Sequence, residues 1–140
     1  MGGRSFFSFS HPKALLMLSR NAIALLLISL AHFTVDFYGG LIAPMQKPTM
    51  MEHLGCDLAA VAFLVGLFGL LINIIQPTIG FLLGSREMPV LLALAPAAAG
   101  AFTLMCFFHD YSAAIGVIII SSIGIGVFHP EAMLAAHSYS

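Results

Sequence analysis

Four long apolar runs, separated by short polar stretches, make up most of the chain. An α-helix needs about 20 apolar residues to cross the hydrocarbon core of a bilayer, and four runs reach about that length: residues 21–42, 58–83, 89–108 and 113–136. The polar stretches, at 43–57, 84–89 and 109–112, contain the prolines and charges typical of connections. The pattern predicts an all-α membrane protein with about four transmembrane helices in residues 21–140, each antiparallel to the next.

The composition supports lipid as the main surroundings of the chain. Hydrophobic residues make up 60% of it and charged residues only 8%, and its mean hydropathy is +1.03. A soluble domain of this size needs more polar surface to cover its core. The formal net charge is −1 and there is no basic block, so a nucleic-acid partner is not expected.

The positions of lysine and arginine predict the orientation. Cytoplasmic ends of membrane helices carry an excess of these residues. With the N-terminus inside, residues 1–20 form a cytoplasmic segment, and four of the five basic residues of the chain lie inside: Arg4, Lys13, Arg20 and Arg86. Lys47 alone lies outside. We therefore expect both ends of the chain on the cytoplasmic side.

The first apolar run contains two titratable side chains, His32 and Asp36. They are four residues apart, so they lie on the same face of a helix. A carboxylate inside a span is costly and usually faces a wet cavity or the interior of a bundle, where it marks an ion or proton path. The alternative is a structural hydrogen bond to a neighbouring helix.

The fourth run ends in an unusually polar segment, Gly124–Ala132, which reads GIGVFHPEA. Pro130 removes a backbone donor and predicts a kink in the helix, with His129 and Glu131 on either side of it. Histidine titrates near neutral pH, so this pair is a candidate for proton exchange. The alternative is that the helix ends near Phe128, which would leave both residues at the membrane interface.

The predicted depths of the two carboxylates differ. At about 1.5 Å per residue, Asp36 lies roughly 22 Å from the cytoplasmic start of the first helix, and Glu131 lies roughly 27 Å from the outer start of the fourth. We therefore expect that they do not touch and that they serve opposite ends of one pathway.

The second run contributes two uncharged polar side chains, Asn73 and Gln76. They can hydrogen-bond a neighbouring helix or a substrate in a cavity. Small residues three or four apart also predict close helix approaches. They are Gly66 and Gly69, Gly80 and Gly84, Ala93, Ala97 and Ala101, and Ser122 and Gly126.

No catalytic or metal-binding motif is present. GxSxG, HExxH, Walker and GxGxxG patterns are absent, and Cys56 and Cys106 have no zinc-ligand spacing. The prediction is a protein that is not an enzyme and has neither a metal site nor a cofactor. An alternative is a small membrane-anchor subunit that binds haem or quinone through His32 and His129, although their predicted depths differ.

Three segments together resemble a known family. They are ISLAHFTVDFYGGLIAP from Ile28 to Pro44, QPTIGFLLGSR from Gln76 to Arg86, and GIGVFHPEA. They resemble the fosmidomycin-resistance branch of the major facilitator superfamily. The resemblance runs from the first predicted helix to the fourth.

The resemblance implies a proton-coupled efflux antiporter for small molecules, including antibiotics, in the inner membrane of a bacterium. It also implies that the first and fourth helices line a central cavity, which makes His32, Asp36, His129 and Glu131 the expected proton and substrate pathway. The superfamily fold has two halves of about six helices each. We therefore expect this chain to be a fragment, inactive alone, whose polar faces need the missing helices or self-association.

Overall fold

The computed structural model describes residues 12–84 and 86–140, which form helices joined by short connections. The helices are α1 (Pro12–Met45), α2 (Leu58–Leu83), α3 (Pro89–Gly100) and α4 (Tyr111–Tyr139), with a π-helical segment (Gln46–His53) after α1 and a 3-10 helix (Ala101–Phe107) after α3. Four stretches are long and apolar enough to cross a membrane: Arg20–His53, Leu58–Leu83, Pro89–Phe107 and Tyr111–Tyr139. The predicted all-α class with four spans is confirmed. Arg4, used for the orientation, lies outside the described residues.

The helix that contains the first apolar run extends beyond that run at both ends. α1 begins at Pro12, and the helical path continues beyond Met45 to His53, so the predicted loop over residues 43–57 is wrong. A proline lacks an N–H and clashes with the carbonyl four residues earlier, and the wider π turn accommodates this at Pro48. At the end of this π-helical segment, Leu54 N donates to Thr49 O, five residues back, at 3.0 Å.

The other helices begin and end close to their predicted bounds. The side chains of Asp57 and Asp110 cap α2 and α4 by accepting from Ala60 N at 2.8 Å and Ala113 N at 2.9 Å. α3 changes to a 3-10 helix at residue 101. α4 continues through Pro130 to Tyr139, so the alternative that the helix ends near Phe128 is wrong.

α4 is the central helix of the bundle and packs against α1, α2 and α3. In the most apolar stretch of α4, 56% of the residues are buried, whereas in the most apolar stretch of the first span only 6% are buried. A Cβ on Gly124 would lie only 2.4 Å from Ala99 N, and one on Gly126 only 2.8 Å from the Ile75 side chain. The close approach predicted at Gly126 is confirmed. The one predicted at Gly66 and Gly69 is wrong, because no atom of the described residues lies within 4 Å of a Cβ at either position.

Contacts between connections define the two ends of the bundle. At one end, which we call the His53 end, the Tyr111 hydroxyl donates to Ala60 O at 3.2 Å, and His109 Nδ1 lies 3.4 Å from His53 O. At the other, the Glu131 end, the backbone N of Met88 donates to Glu131 Oε2 at 2.9 Å. The α2–α3 connection and the last turns of α4 therefore meet at the Glu131 end.

Cys56 and Cys106 are free thiols near the His53 end. Burial raises the pKa of the Cys56 thiol, and the adjacent Asp57 carboxylate raises it further. The thiolate is the reactive form, so a raised pKa makes alkylation slow at neutral pH. In purified Cys106→Ser protein, we expect the maleimide labelling rate of Cys56 to keep rising with pH beyond the range where an ordinary exposed thiol levels off.

Asp57→Asn is the matched variant for this measurement, because asparagine also caps helices but carries no charge. This change should shift the labelling profile of Cys56 to lower pH, but only part of the way to the profile of an exposed thiol. Burial, the larger cause of the raised pKa, remains in the variant. A profile like that of a free thiol in both proteins would contradict the expectation.

Candidate proton and ion site

His32 and Asp36 on α1 and His129 on α4 form a compact cluster, which we call the His–Asp–His cluster. His32 Nε2 lies 3.4 Å from Asp36 Oδ2, and His129 Nε2 lies 3.6 Å from Asp36 Oδ1. The two imidazole rings are in edge-to-face contact, with their centroids 5.0 Å apart. Each carboxylate oxygen of Asp36 therefore faces one imidazole nitrogen.

Local helix geometry and one helix contact explain this arrangement. The four-residue spacing places His32 and Asp36 on one face of α1, as predicted. Val35, next to Asp36, is fully buried in the core, which places Asp36 at the edge of the contact between α1 and α4. Phe128 is also fully buried, and its ring lies 5.8 Å from that of His32. The buried residues thus fix the relative positions of the two helices on which the cluster depends.

The cluster is open on one side and lies deep in the first span. Side-chain exposure is 48% for His32, 59% for Asp36 and 21% for His129. At about 1.5 Å per residue, Asp36 is roughly 25 Å from either end of the span Arg20–His53. An ionised aspartate at the centre of a membrane helix costs about 2.5–3.5 kcal/mol on insertion scales. The open side of the cluster is therefore suited to a wet cavity or a further helix and unsuited to lipid.

Glu131 lies apart from this cluster, at the Glu131 end. Its side chain is 1% exposed, and Oε2 accepts the hydrogen bond from the Met88 backbone. Oε1 is buried without a partner in the described part of the chain. Ser138 also donates to Glu87 nearby, so α4 holds the α2–α3 connection at two points. The two candidate carboxylates do not touch, as expected, but depth is not the reason. Glu131 is only two residues from His129, which contacts Asp36, so it lies at nearly the same level of α4 and on another face of that helix.

The polar candidates on α2 do not join the cluster. Asn73 is exposed, and its Nδ2 donates to Gly69 O, four residues back, at 2.9 Å. Gln76 is partly buried beside Gly126, whose Cβ would lie 3.5 Å from Gln76 N. Asn73 therefore hydrogen-bonds to the backbone of its own helix, and Gln76 lies at the contact between α2 and α4.

The structure also shows a histidine pair that the sequence pattern did not single out. His53 and His109 have ring centroids 4.2 Å apart, and His53 Nε2 is buried without a hydrogen-bond partner among the described residues. The two residues are 56 positions apart. His53 ends the π-helical segment, and His109 follows the 3-10 helix. No local spacing links them, so only the tertiary contact could reveal the pair.

The depth difference predicted for His32 and His129 is wrong, because their rings touch. The packing of α1 against α4 places the middle of α1 level with the last third of α4. Two axial histidines of one haem must lie on opposite faces of the porphyrin. Rings in direct contact leave no space for that plane, so the geometry favours a proton or a small cation shared between them.

Together the fold and the site define a multi-pass α-helical membrane protein with a titratable cluster deep in its first span. Comparison of the chain with protein-family models, with curated proteins and with solved structures finds no match in any of the three.

Proposed function

We propose that the chain is the N-terminal part of a proton-coupled efflux transporter for small molecules, of the fosmidomycin-resistance type in the major facilitator superfamily. The observation that carries this proposal is the His–Asp–His cluster, a titratable site deep in a span and open on one side. Such sites in membrane helices serve ion and proton paths. The sequence resemblance and the position of the cluster on α1 and α4 support the same function.

In this proposal the cluster exchanges protons with the aqueous cavity. Histidine titrates near neutral pH, and Asp36 can accept a hydrogen bond from either imidazole. Proton release and uptake change the charge of a site that faces the cavity, and this change biases which side the cavity opens to. Alternating access also needs an opposing bundle, so these four helices act together with further helices, in the same polypeptide or in a partner.

Glu131 has a different role in the proposal, as a gate at the cytoplasmic end. Its bond to Met88 N joins α4 to the start of α3. When the carboxyl group gains or loses a proton, the strength of this bond changes, because a charged acceptor binds an N–H more strongly than a neutral one. The proposed orientation is N-terminus inside, in the bacterial inner membrane, with Arg20 and Arg86 on the cytoplasmic side.

The test is proton-coupled efflux by the complete transporter carrying Asp36→Asn. Asparagine keeps the shape of the side chain but cannot carry a proton, so we expect efflux to fall at least about 100-fold, within the range lost when a proton-transfer group is removed. The measurement is accumulation of fosmidomycin, the compound that the resemblance names, in cells with and without a protonophore.

His137→Gln is the matched control, because His137 lies on α4 but is exposed and outside the cluster. It should leave efflux unchanged. If Asp36→Asn exports as well as the control and still responds to the protonophore, the proposed role of the cluster is wrong. If neither protein exports fosmidomycin, the assigned transporter type is wrong.

A further inference from the structure

We infer that the His–Asp–His cluster is a binding site for a divalent transition-metal ion of the zinc class, with His32, Asp36 and His129 as its three protein ligands. Two nitrogens and a carboxylate from two helices converge on one point. One potential ligand atom from each residue lies within 4.8 Å of those of the other two. This inference goes beyond the proposed transport function and concerns the same side chains.

The two imidazole–carboxylate separations are of the size found between neighbouring ligands of a tetrahedral site. Zinc binds histidine nitrogen and carboxylate oxygen at about 2.0–2.2 Å, which places neighbouring ligand atoms about 3.4 Å apart in a tetrahedron. The two imidazole–carboxylate separations are 3.4 Å and 3.6 Å. The two separations involve different oxygens of Asp36, and both exceed the usual length of a nitrogen–oxygen hydrogen bond. An ion bound to both imidazoles would therefore be held by both carboxylate oxygens, or by one of them after the carboxylate turns.

The donor set selects the class of metal. Imidazole favours zinc, copper, nickel and iron, whereas magnesium and calcium prefer sites built from oxygen alone. Three protein ligands also leave one position of a tetrahedral zinc site open, as in sites where water or a substrate binds. Because His32 and Asp36 are the most exposed members, the open position faces the uncovered side of the cluster.

The experiment is titration of the purified full chain in detergent micelles with Co²⁺ alone and Zn²⁺ alone. We expect one Co²⁺ per chain with the intense visible absorption of four-coordinate cobalt, displaced by Zn²⁺ and unaffected by excess Mg²⁺. His129→Gln should weaken binding at least about 100-fold, since loss of even an outer-shell partner costs about 10–100-fold. His137→Gln should bind like the unaltered protein.

Two further variants make the result decisive. His129→Cys supplies a thiolate, so the cobalt complex should gain a sulfur-to-metal charge-transfer band, which shows ligation directly even if His129→Gln folds poorly. The paired change His53→Gln and His109→Gln should leave the spectrum unchanged. Equal Co²⁺ binding by His129→Gln, absence of the new band, or loss of the signal in the His53–His109 variant would each overturn the inference.

The metal titration does not depend on transport, so the two proposals can fail separately. If the chain binds Co²⁺ as expected but Asp36→Asn does not affect efflux by the complete transporter, the metal site is supported and the proton pathway is contradicted. If the chain does not bind Co²⁺ but Asp36→Asn abolishes efflux, only the proton pathway is supported.

Discussion

Replacing Gly124 by alanine is expected to weaken the packing of α3 on α4 by about 3 kcal/mol, the upper end of the range for overpacked cores. The added Cβ would lie 2.4 Å from Ala99 N and 2.7 Å from Ala95 O. Both are backbone atoms of α3, so no side chain can rotate away and the two helices must separate. The measurement is unfolding of the purified protein in micelles with increasing dodecyl sulfate, followed by circular dichroism.

Two other glycines of α4 provide matched controls. A Cβ on Gly116 meets nothing within 4 Å in the part of the chain that the structure describes, so Gly116→Ala should be neutral or stabilise the helix by up to about 1 kcal/mol. A Cβ on Gly126 meets side-chain atoms of Ile75, at 2.8 Å and 2.9 Å, which can move in part. The loss should therefore be largest at Gly124, intermediate at Gly126 and absent at Gly116, and any other order would contradict the packing described above.

Replacing Glu131 by alanine is expected to cost about 3 kcal/mol or more. The change removes the acceptor of the Met88 N–H in a part-buried hydrogen bond, and the net contribution of such a bond is about 1 kcal/mol. It also leaves a cavity in a site where the side chain is 1% exposed, and such cavities add to the loss. The same dodecyl sulfate titration measures this effect.

Glu131→Gln separates the hydrogen bond from the charge. Glutamine keeps an oxygen that can accept from Met88 N, and its amide group takes the place of Oε1, which has no partner in the described structure. We expect the glutamine variant to lose at most about 1 kcal/mol, as is usual when a hydrogen bond is kept. Equal losses for alanine and glutamine would show that the bond to Met88 does not stabilise the bundle.

These stability tests also bear on the proposed gate. A glutamine variant that folds well but transports differently would assign Glu131 to gating. A variant that folds and transports normally would leave Glu131 with the structural role alone, as a link between α4 and the α2–α3 connection. The His–Asp–His cluster would be unaffected by either outcome, because Glu131 lies outside it.

The sequence by itself determined the helical class, the four spans and most of their bounds. Runs of apolar residues indicate helices that are buried in lipid or in a bundle. Asp57 and Asp110 mark the starts of α2 and α4, because aspartate is a common N-cap residue. It also placed His32 and Asp36 on one face, because a spacing of four residues is a local property of a helix. The resemblance and the proposed transport function rest on the sequence as well.

Only the tertiary structure decided which side chains meet. The helical path of the first span continues after α1 through a π-helical segment that local rules read as a loop, and the packing of α1 on α4 sets the register between these two helices. That register brings His129 to Asp36 and leaves Glu131 with Met88. Gly124 is likewise unremarkable in sequence, and its role comes from the α3 backbone beside it. Contacts between distant helices depend on depth and rotation, which no local pattern specifies.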